Sequence, residues 1–236
     1  MRNIILGSQS PRRRELMAGL DIPFQCITID ADESFPSTLK AGDIPLHISR
    51  AKARAYEQHL TKDDLLITSD TIVWLNEQML GKPQSKAEAI QMLNLLSGNT
   101  HQVYTAVCFT WIDATTQQLV HDELVDCTNV TFRTLTTKEI DYYVEKYLPL
   151  DKAGAYGVQE WIGYVGVTCM EGSYFNVMGF PISIDIIVND SKPTTVSMFN
   201  NIKNDEDISN KIETMVNDNK ITYTFDNFIV GPSNNL

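Results

Sequence analysis

Two rhythms of apolar residues alternate along the chain. Short apolar runs rich in β-branched residues, at positions 3–6, 26–29 and 65–68, end in glycine or polar residues and predict buried strands. Longer stretches at 12–20, 44–60, 85–96 and 137–147 repeat their apolar residues at helical spacing and predict helices. Local signals fix some boundaries. Ser10 is a good N-cap, and Pro11 falls at the first helical position, where a missing N–H costs nothing. Ser85 with Glu88 has the pattern of a capping box, and Gly98 stops the helix that follows. Residues 72–75 and 79–80 flank Asn76 and Glu77 as the arms of a hairpin, and further strands are predicted at 103–113, 119–133, 164–168 and 182–188. Strands interleaved with helices in this way predict an α/β fold with a central mixed sheet flanked by helices.

From Asn189 the character changes. Ser, Thr, Asn, Asp and Lys dominate as far as Lys220, with only a weak helical pattern at 208–215. One folded domain is therefore expected at 1–189, followed by a polar, largely disordered tail at 190–236.

Composition and charge narrow the function. A chain of 236 residues, 43% of them hydrophobic, can bury a sizeable core, so disorder throughout is excluded. The net charge of −11 and pI near 4.7 argue against stable nucleic-acid binding, which relies on Lys and Arg displacing counterions from phosphates. A small phosphorylated ligand needs only a local basic cluster. No apolar run approaches the roughly 20 residues that span a bilayer, and the first ten residues turn polar too early for a secretory signal. A cytoplasmic protein with no membrane partner is expected. Cys26, Cys108, Cys127 and Cys169 form no CxxC pair and are expected to be buried free thiols, and no HExxH motif is present. Any metal is therefore expected to be a hard cation held by oxygen.

Three clusters carry chemistry. The first is Ser8-Gln9-Ser10-Pro11-Arg12-Arg13-Arg14, where a strand hands over to a helix. Backbone N–H groups, the positive end of the helix dipole and forked guanidiniums converge there and suit a polyphosphate. The competing reading is a solvated basic turn, but arginines oppose the dipole at a helix start unless an anion compensates them. The second is Thr68-Ser69-Asp70-Thr71 at the predicted carboxyl end of a strand, the edge of an α/β sheet where ligands bind. An aspartate there can take a proton from water, help hold a cation, or simply cap a turn. Glu33 and Lys82 follow other predicted strands and would add metal anchoring and charge neutralisation around a triphosphate. The third is the glycine-rich stretch from Lys152 through Gln159 to Pro181, where backbone can approach a ligand and the Gln159 amide can offer both donor and acceptor to a base. A set of tight turns explains the same glycines.

Together these pieces resemble the Maf family over nearly all of residues 3–182. The resemblance rests on SQSPRRREL, DES around Glu33, ISRAKA at 48–53, TSDTIV at 68–73, GKP at 81–83, LSGNTHQVYTAV at 96–107, KAGAYGVQ and GSYFNVMGFP, in that order. It implies hydrolysis of a nucleoside triphosphate between the α and β phosphates with Mg²⁺ or Mn²⁺. It also implies an elongated α/β fold with two lobes around a nucleotide cleft, and a homodimer, the state often seen in the family. Carried over by position, Asp70 takes the general-base role and Ser8, Arg13, Glu33, Lys52 and Lys82 fall on triphosphate- and metal-handling motifs, with Glu33 and Asp70 as metal ligands. Arg12, Thr71 and Gln159 fall where the family's subgroups differ, and the wording at SDTIV and KAGAYGVQ is similar to the dTTP/UTP branch. The alternatives are the branch acting on 7-methyl-GTP and a non-catalytic nucleotide sensor influencing cell division. Phe180 stands where the family usually has Leu, and past Pro181 its short terminal helix is not recognisable. Residues 221–236 are similar instead to the segment that opens the ATPase domain of bacterial replication initiators. No GxxxxGK[ST] loop follows it, so a fused or misjoined gene end is expected there.

Overall fold

The computed structural model describes residues 2–182 and the backbone of two further short strands. The element order is β1 (Asn3–Gly7), α1 (Pro11–Ala18), β2 (Phe24–Ile27), α2 (Asp43–Tyr56), β3 (Asp64–Leu75), β4 (Gln78–Leu80), α3 (Lys86–Leu96), β5 (Thr100–Ile112), β6 (Leu119–Phe132), α4 (Thr137–Tyr147), α5 (Trp161–Gly166), β7 (Val167–Glu171) and α6 (Tyr174–Met178). Strands β8 (Asp185–Ile187) and β9 (Thr195–Ser197) pair with each other and belong to a separate unit that begins at Ile182. The rest of the expected tail, 190–236, lies outside the described residues.

Seven strands form one mixed sheet in the order β2-β1-β3-β5-β6-β7, with β4 on β3. β2, β1 and β3 run parallel, joined through α1 and α2, whereas β3, β5, β6 and β7 are antiparallel. The mixed α/β architecture expected from the alternation is present. Leu6, Leu66, Ile67, Ala106 and Val107, all 1% exposed or less, fill the sheet centre. Burying a leucine or isoleucine fully is worth about 1.5–3 kcal/mol, so this central strip anchors the fold. Successive side chains of β3 point to opposite faces. Leu66 and Ile72 pack toward α2, against Ala53 and against Ile44 and Ile48. On the other face, Val73 meets the tight turn Ala153–Ala155, where Gly154 has φ +66° and a Cβ would lie 2.9 Å from the valine. Only glycine satisfies both demands.

One departure from the predicted elements matters for the site. Residues 65–68 and 72–75, read as two strands, are parts of a single strand of 12 residues. Polar Ser69, Asp70 and Thr71 interrupt the apolar pattern but not the ladder, because each still pairs with β5. A second departure is at 164–168, where α5 replaces the first half of the expected strand. The aromatic and β-branched residues there favour a strand by propensity. Packing decides otherwise: Ile162 and Gly166, one helical turn apart, are buried, and a Cβ at Gly166 would lie 2.8 Å from the Phe132 ring.

The cysteines also depart from expectation. Only Cys108 is buried, whereas Cys26, Cys127 and Cys169 are exposed. Cys26 and Cys169 sit on the edge strands β2 and β7, and Cys127 lies just before the part of β6 that β7 covers. No helix among the described residues is long and apolar enough to cross a membrane.

Candidate active site

The cleft occupies a gap in the sheet. β1 pairs with β3 as far as Gly7 opposite Thr68, and β4 takes up the same side of β3 only from Val73. Ser69, Asp70, Thr71 and Ile72 therefore have a strand neighbour on one side only. A cavity of about 570 Å³ opens at this gap. Asp70 thus lies mid-strand rather than at a strand's end, yet beyond the carboxyl end of β1, where the sheet stops on that side.

The start of α1 forms one wall. The Ser10 side chain accepts from Arg13 N, and Ser8 Oγ accepts from Ser10 N at 3.2 Å, so both hydroxyls shape the turn that leads into the helix. The expected compensating anion for the arginines is supplied partly by the protein itself. Arg12 Nη1 pairs with Asp151 Oδ2 at 3.1 Å, and Lys152 Nζ takes the same carboxylate's Oδ1 at 2.7 Å. Burial raises the Asp151 pKa, but its bonds to Lys152 and Arg12 outweigh this and hold it below the usual carboxylate range.

Arg13 also has partners within the protein. Its guanidinium is buried and donates from Nε to Gly179 O at 2.6 Å, from Nη1 to Ser69 O at 3.0 Å and from Nη2 to Thr71 Oγ1 at 2.9 Å. Three of its five N–H groups thus hold the open edge of β3 and the turn after α6. Burial pushes the guanidinium below its ordinary pKa, and the neighbouring charge of Asp70 opposes that.

Opposite stands a carboxylate pair on one ammonium. α2 delivers Lys52, whose Nζ lies 2.9 Å from Asp70 Oδ1 and 3.0 Å from Glu33 Oε1. The Asp70 side chain is 16% exposed and that of Glu33 55%, so the first is sheltered and the second open to a ligand. Lys82 follows β4 onto the cleft wall, exposed and without an ion pair among the described residues. Gln159 lines the same cavity, and its Oε1 is buried with no hydrogen-bond partner among the described residues. Ser8, Arg12, Arg13, Glu33, Lys52, Asp70, Thr71, Lys82 and Gln159, separated by up to 151 positions in sequence, all line this one cleft.

A family model described as Maf-like protein matches residues 3–184, about three quarters of the chain. The chain belongs to the Maf family. Curated relatives named dTTP/UTP pyrophosphatase are similar to it: that of Bacteroides thetaiotaomicron is 51% identical over 180 residues, covering 76% of this chain and 90% of the relative. That of Porphyromonas gingivalis W83 is 48% identical over 187 residues, covering 77% and 89%. Among solved structures, the Ham1 protein of Staphylococcus aureus matches 55% of this chain and 72% of its own at 14% identity and a TM-score of 0.37, too slight a likeness to bear on either fold or activity.

Beyond the site residues named from the sequence, the structure adds Asp151, Lys152 and Tyr156 to the cleft wall. Lys152 is only 7% exposed, held by Asp151 and, at 3.1 Å, by Glu160. The sequence signal was available, because Lys152 opens the KAGAYGVQ run, but nothing local distinguishes it from a surface lysine. Tyr156 leans on buried His101, with its Oη 2.7 Å from Nε2, and burial pushes the phenol's pKa up.

Proposed function

We propose that this chain hydrolyses dTTP and UTP to the monophosphate and pyrophosphate. The observation that carries the reading is Asp70, a sheltered carboxylate held on Lys52 across the cleft from the α1 helix start. The names of relatives about half identical over three quarters of the chain support the same reaction.

In this mechanism Asp70 accepts the proton of a water whose oxygen bonds to the α-phosphorus as the bond to the β-phosphate bridging oxygen breaks. The α1 N-terminus, Arg12, Lys82 and the remaining N–H groups of Arg13 bind the phosphate chain, and positive charge there stabilises the departing pyrophosphate. Lys52 orients Asp70 and holds Glu33 beside it. Gln159 Oε1, without a hydrogen-bond partner among the described residues, accepts from the base.

The donor set also suits Mg²⁺ or Mn²⁺. Among the described residues no group of three or more His, Cys, Asp or Glu side chains stands together. Such an ion commonly takes one or two carboxylates and completes its shell with water and substrate phosphates. Glu33 and Asp70 would hold it, and when bound it supplies neutralisation of phosphate charge.

The test is phosphate detection with added inorganic pyrophosphatase, over a panel of triphosphates with Mg²⁺, with Mn²⁺ and with chelator. Pyrophosphate from dTTP and UTP ahead of purine triphosphates is expected. Absence of pyrophosphate from every triphosphate under all three conditions would sink the reading.

A further inference from the structure

We propose that Thr105, a buried residue behind the cleft wall, fixes Thr71 as a hydrogen-bond acceptor and so requires the nucleoside to present a donor to it. The inference rests on the pyrophosphatase reading for its substrates and on proton counting for its logic.

Thr71 and Thr105 are direct cross-strand partners on β3 and β5, with their Oγ1 atoms 2.9 Å apart. A threonine hydroxyl has one hydrogen and two lone pairs. Thr105 Oγ1 also lies 2.9 Å from the backbone oxygen of Asn176, a group that can only accept, so the Thr105 hydrogen points there. Thr71 must then donate its own hydrogen to Thr105. Its first lone pair takes the Arg13 Nη2 hydrogen. What remains at Thr71, on the cavity wall, is one lone pair and no hydrogen.

The relay is anchored at both ends. Arg13 can only donate, and its guanidinium is fixed by two backbone carbonyls besides Thr71. Asn176, 0% exposed, is tied through Nδ2 to Val103 O at 3.0 Å and Thr128 Oγ1 at 2.8 Å, which holds its backbone oxygen in line. Asn176 O also accepts from Gly179 N at 2.9 Å, but reversing the Thr71 hydroxyl would take the hydrogen from between Thr105 Oγ1 and Asn176 O and leave two oxygens 2.9 Å apart with none between them, a costly arrangement in a buried site. Gln159 Oε1, another polar atom without a partner among the described residues, is an acceptor as well.

Uridine and thymidine nucleotides share two donors that can meet Thr71: the imide N3–H and the sugar 3′-hydroxyl. Cytidine has no hydrogen at N3, and a 3′-deoxynucleotide lacks the other donor. The experiment compares kcat/KM for UTP, CTP and 3′-deoxyuridine triphosphate in the unmodified protein, Thr105→Val and Thr105→Ser. The unmodified protein is expected to prefer UTP by about tenfold over one analogue, the size of one well-made hydrogen bond. Which analogue suffers identifies the donor.

Thr105→Val frees the Thr71 hydrogen to turn into the cleft, so that preference should fall to about twofold or less, while Thr105→Ser keeps it. A structural defect alone lowers all three rates together and leaves the ratios intact. Should Thr105→Val fail to fold, Thr71→Val removes the acceptor itself and must abolish the same preference. The inference is overturned by an unmodified protein that prefers UTP to neither analogue, by ratios unchanged in either valine variant, or by a serine variant that shifts them as far as valine does. If the unmodified protein releases no pyrophosphate at all, the function reading fails separately, and relative binding affinities for the three nucleotides carry the same comparison.

Discussion

Lys52 Nζ lies 2.9 Å from Asp70 Oδ1, on the side of β3 that faces α2. The ammonium orients the carboxylate without burying it completely, which leaves an oxygen lone pair for water. Asp70→Asn keeps the shape but cannot take a proton, so turnover should fall by about 10²–10⁴-fold while triphosphate binding persists. Single-turnover kinetics beside a binding titration would check this, and near-normal turnover would remove Asp70 from the role of base.

The two neighbouring arginines should separate cleanly. Arg12 has one ion pair, to a half-exposed Asp151, so Arg12→Gln should raise KM for the triphosphate and leave the melting temperature nearly unchanged. Arg13 satisfies two backbone carbonyls and Thr71 in a buried setting. Arg13→Gln should lower the melting temperature by several degrees, since a loss of about 1–3 kcal/mol shifts a domain of this size by roughly 2–4 °C per kcal/mol. Equal melting temperatures for the two variants would contradict the assignment.

Base choice should depend on Gln159. With the amide in place, dTTP and UTP are expected to be hydrolysed well ahead of dATP and GTP, because a purine leaves the buried amide oxygen unpaired. Gln159→Leu should reduce activity on UTP and narrow the gap to purines. Equal kcat/KM for all four nucleotides in the unmodified protein would defeat this assignment.

Acid sensitivity should trace to His101. Desolvation holds its pKa near about 4 in the folded chain, below the ordinary 6.5. Between those values the unfolded chain binds the extra proton and the folded chain does not, so stability is complete above pH 6.5 and declines as pH falls toward 4. The full loss is about 3 kcal/mol at 1.36 kcal/mol per pH unit. Urea unfolding from pH 7.5 down to 4.5 should show a steeper decline for the unmodified protein than for His101→Gln. Parallel curves would show that the group driving acid unfolding lies elsewhere.

Deleting Ser191–Leu236 should leave both activity and melting temperature essentially unchanged, because the described residues lining the cleft all fall between Gly7 and Gly179. A large fall in either would mean that the deleted residues complete the core.

Much of this arrangement was legible before the structure. Ser10 and Pro11 mark the start of α1 by capping chemistry that is local, and α4 runs from Thr137 to Tyr147 as its periodicity predicts. Ser85 accepts from Glu88 N as expected, but the Glu88 carboxylate turns to Gln84 N, so the reciprocal half of that capping box is absent; the full box occurs at Thr136 and Glu139. What stayed hidden is non-local. Nothing around Arg13 in sequence says that its donors go to Ser69, Thr71 and Gly179, the last 166 positions away. The continuity of β3 through Asp70 was equally hidden, because its pairing partners on β5 lie some 35 residues downstream. Thr105 was visible only as one threonine inside a motif, since its role depends on which way a proton points.

The adjacent placement of Asp70 and Thr71 on one strand has a consequence for how such a catalyst can diverge. Their side chains face opposite sides of β3, one toward Lys52 and α2, the other toward Arg13, Thr105 and the turn after α6. On the proposed mechanism, bond cleavage and ligand choice thus fall on opposite faces of one strand while remaining one residue apart. Exchange of residues behind Thr71 can retune which nucleoside is accepted without rebuilding the reaction centre, and a lineage can change its diet while keeping its teeth.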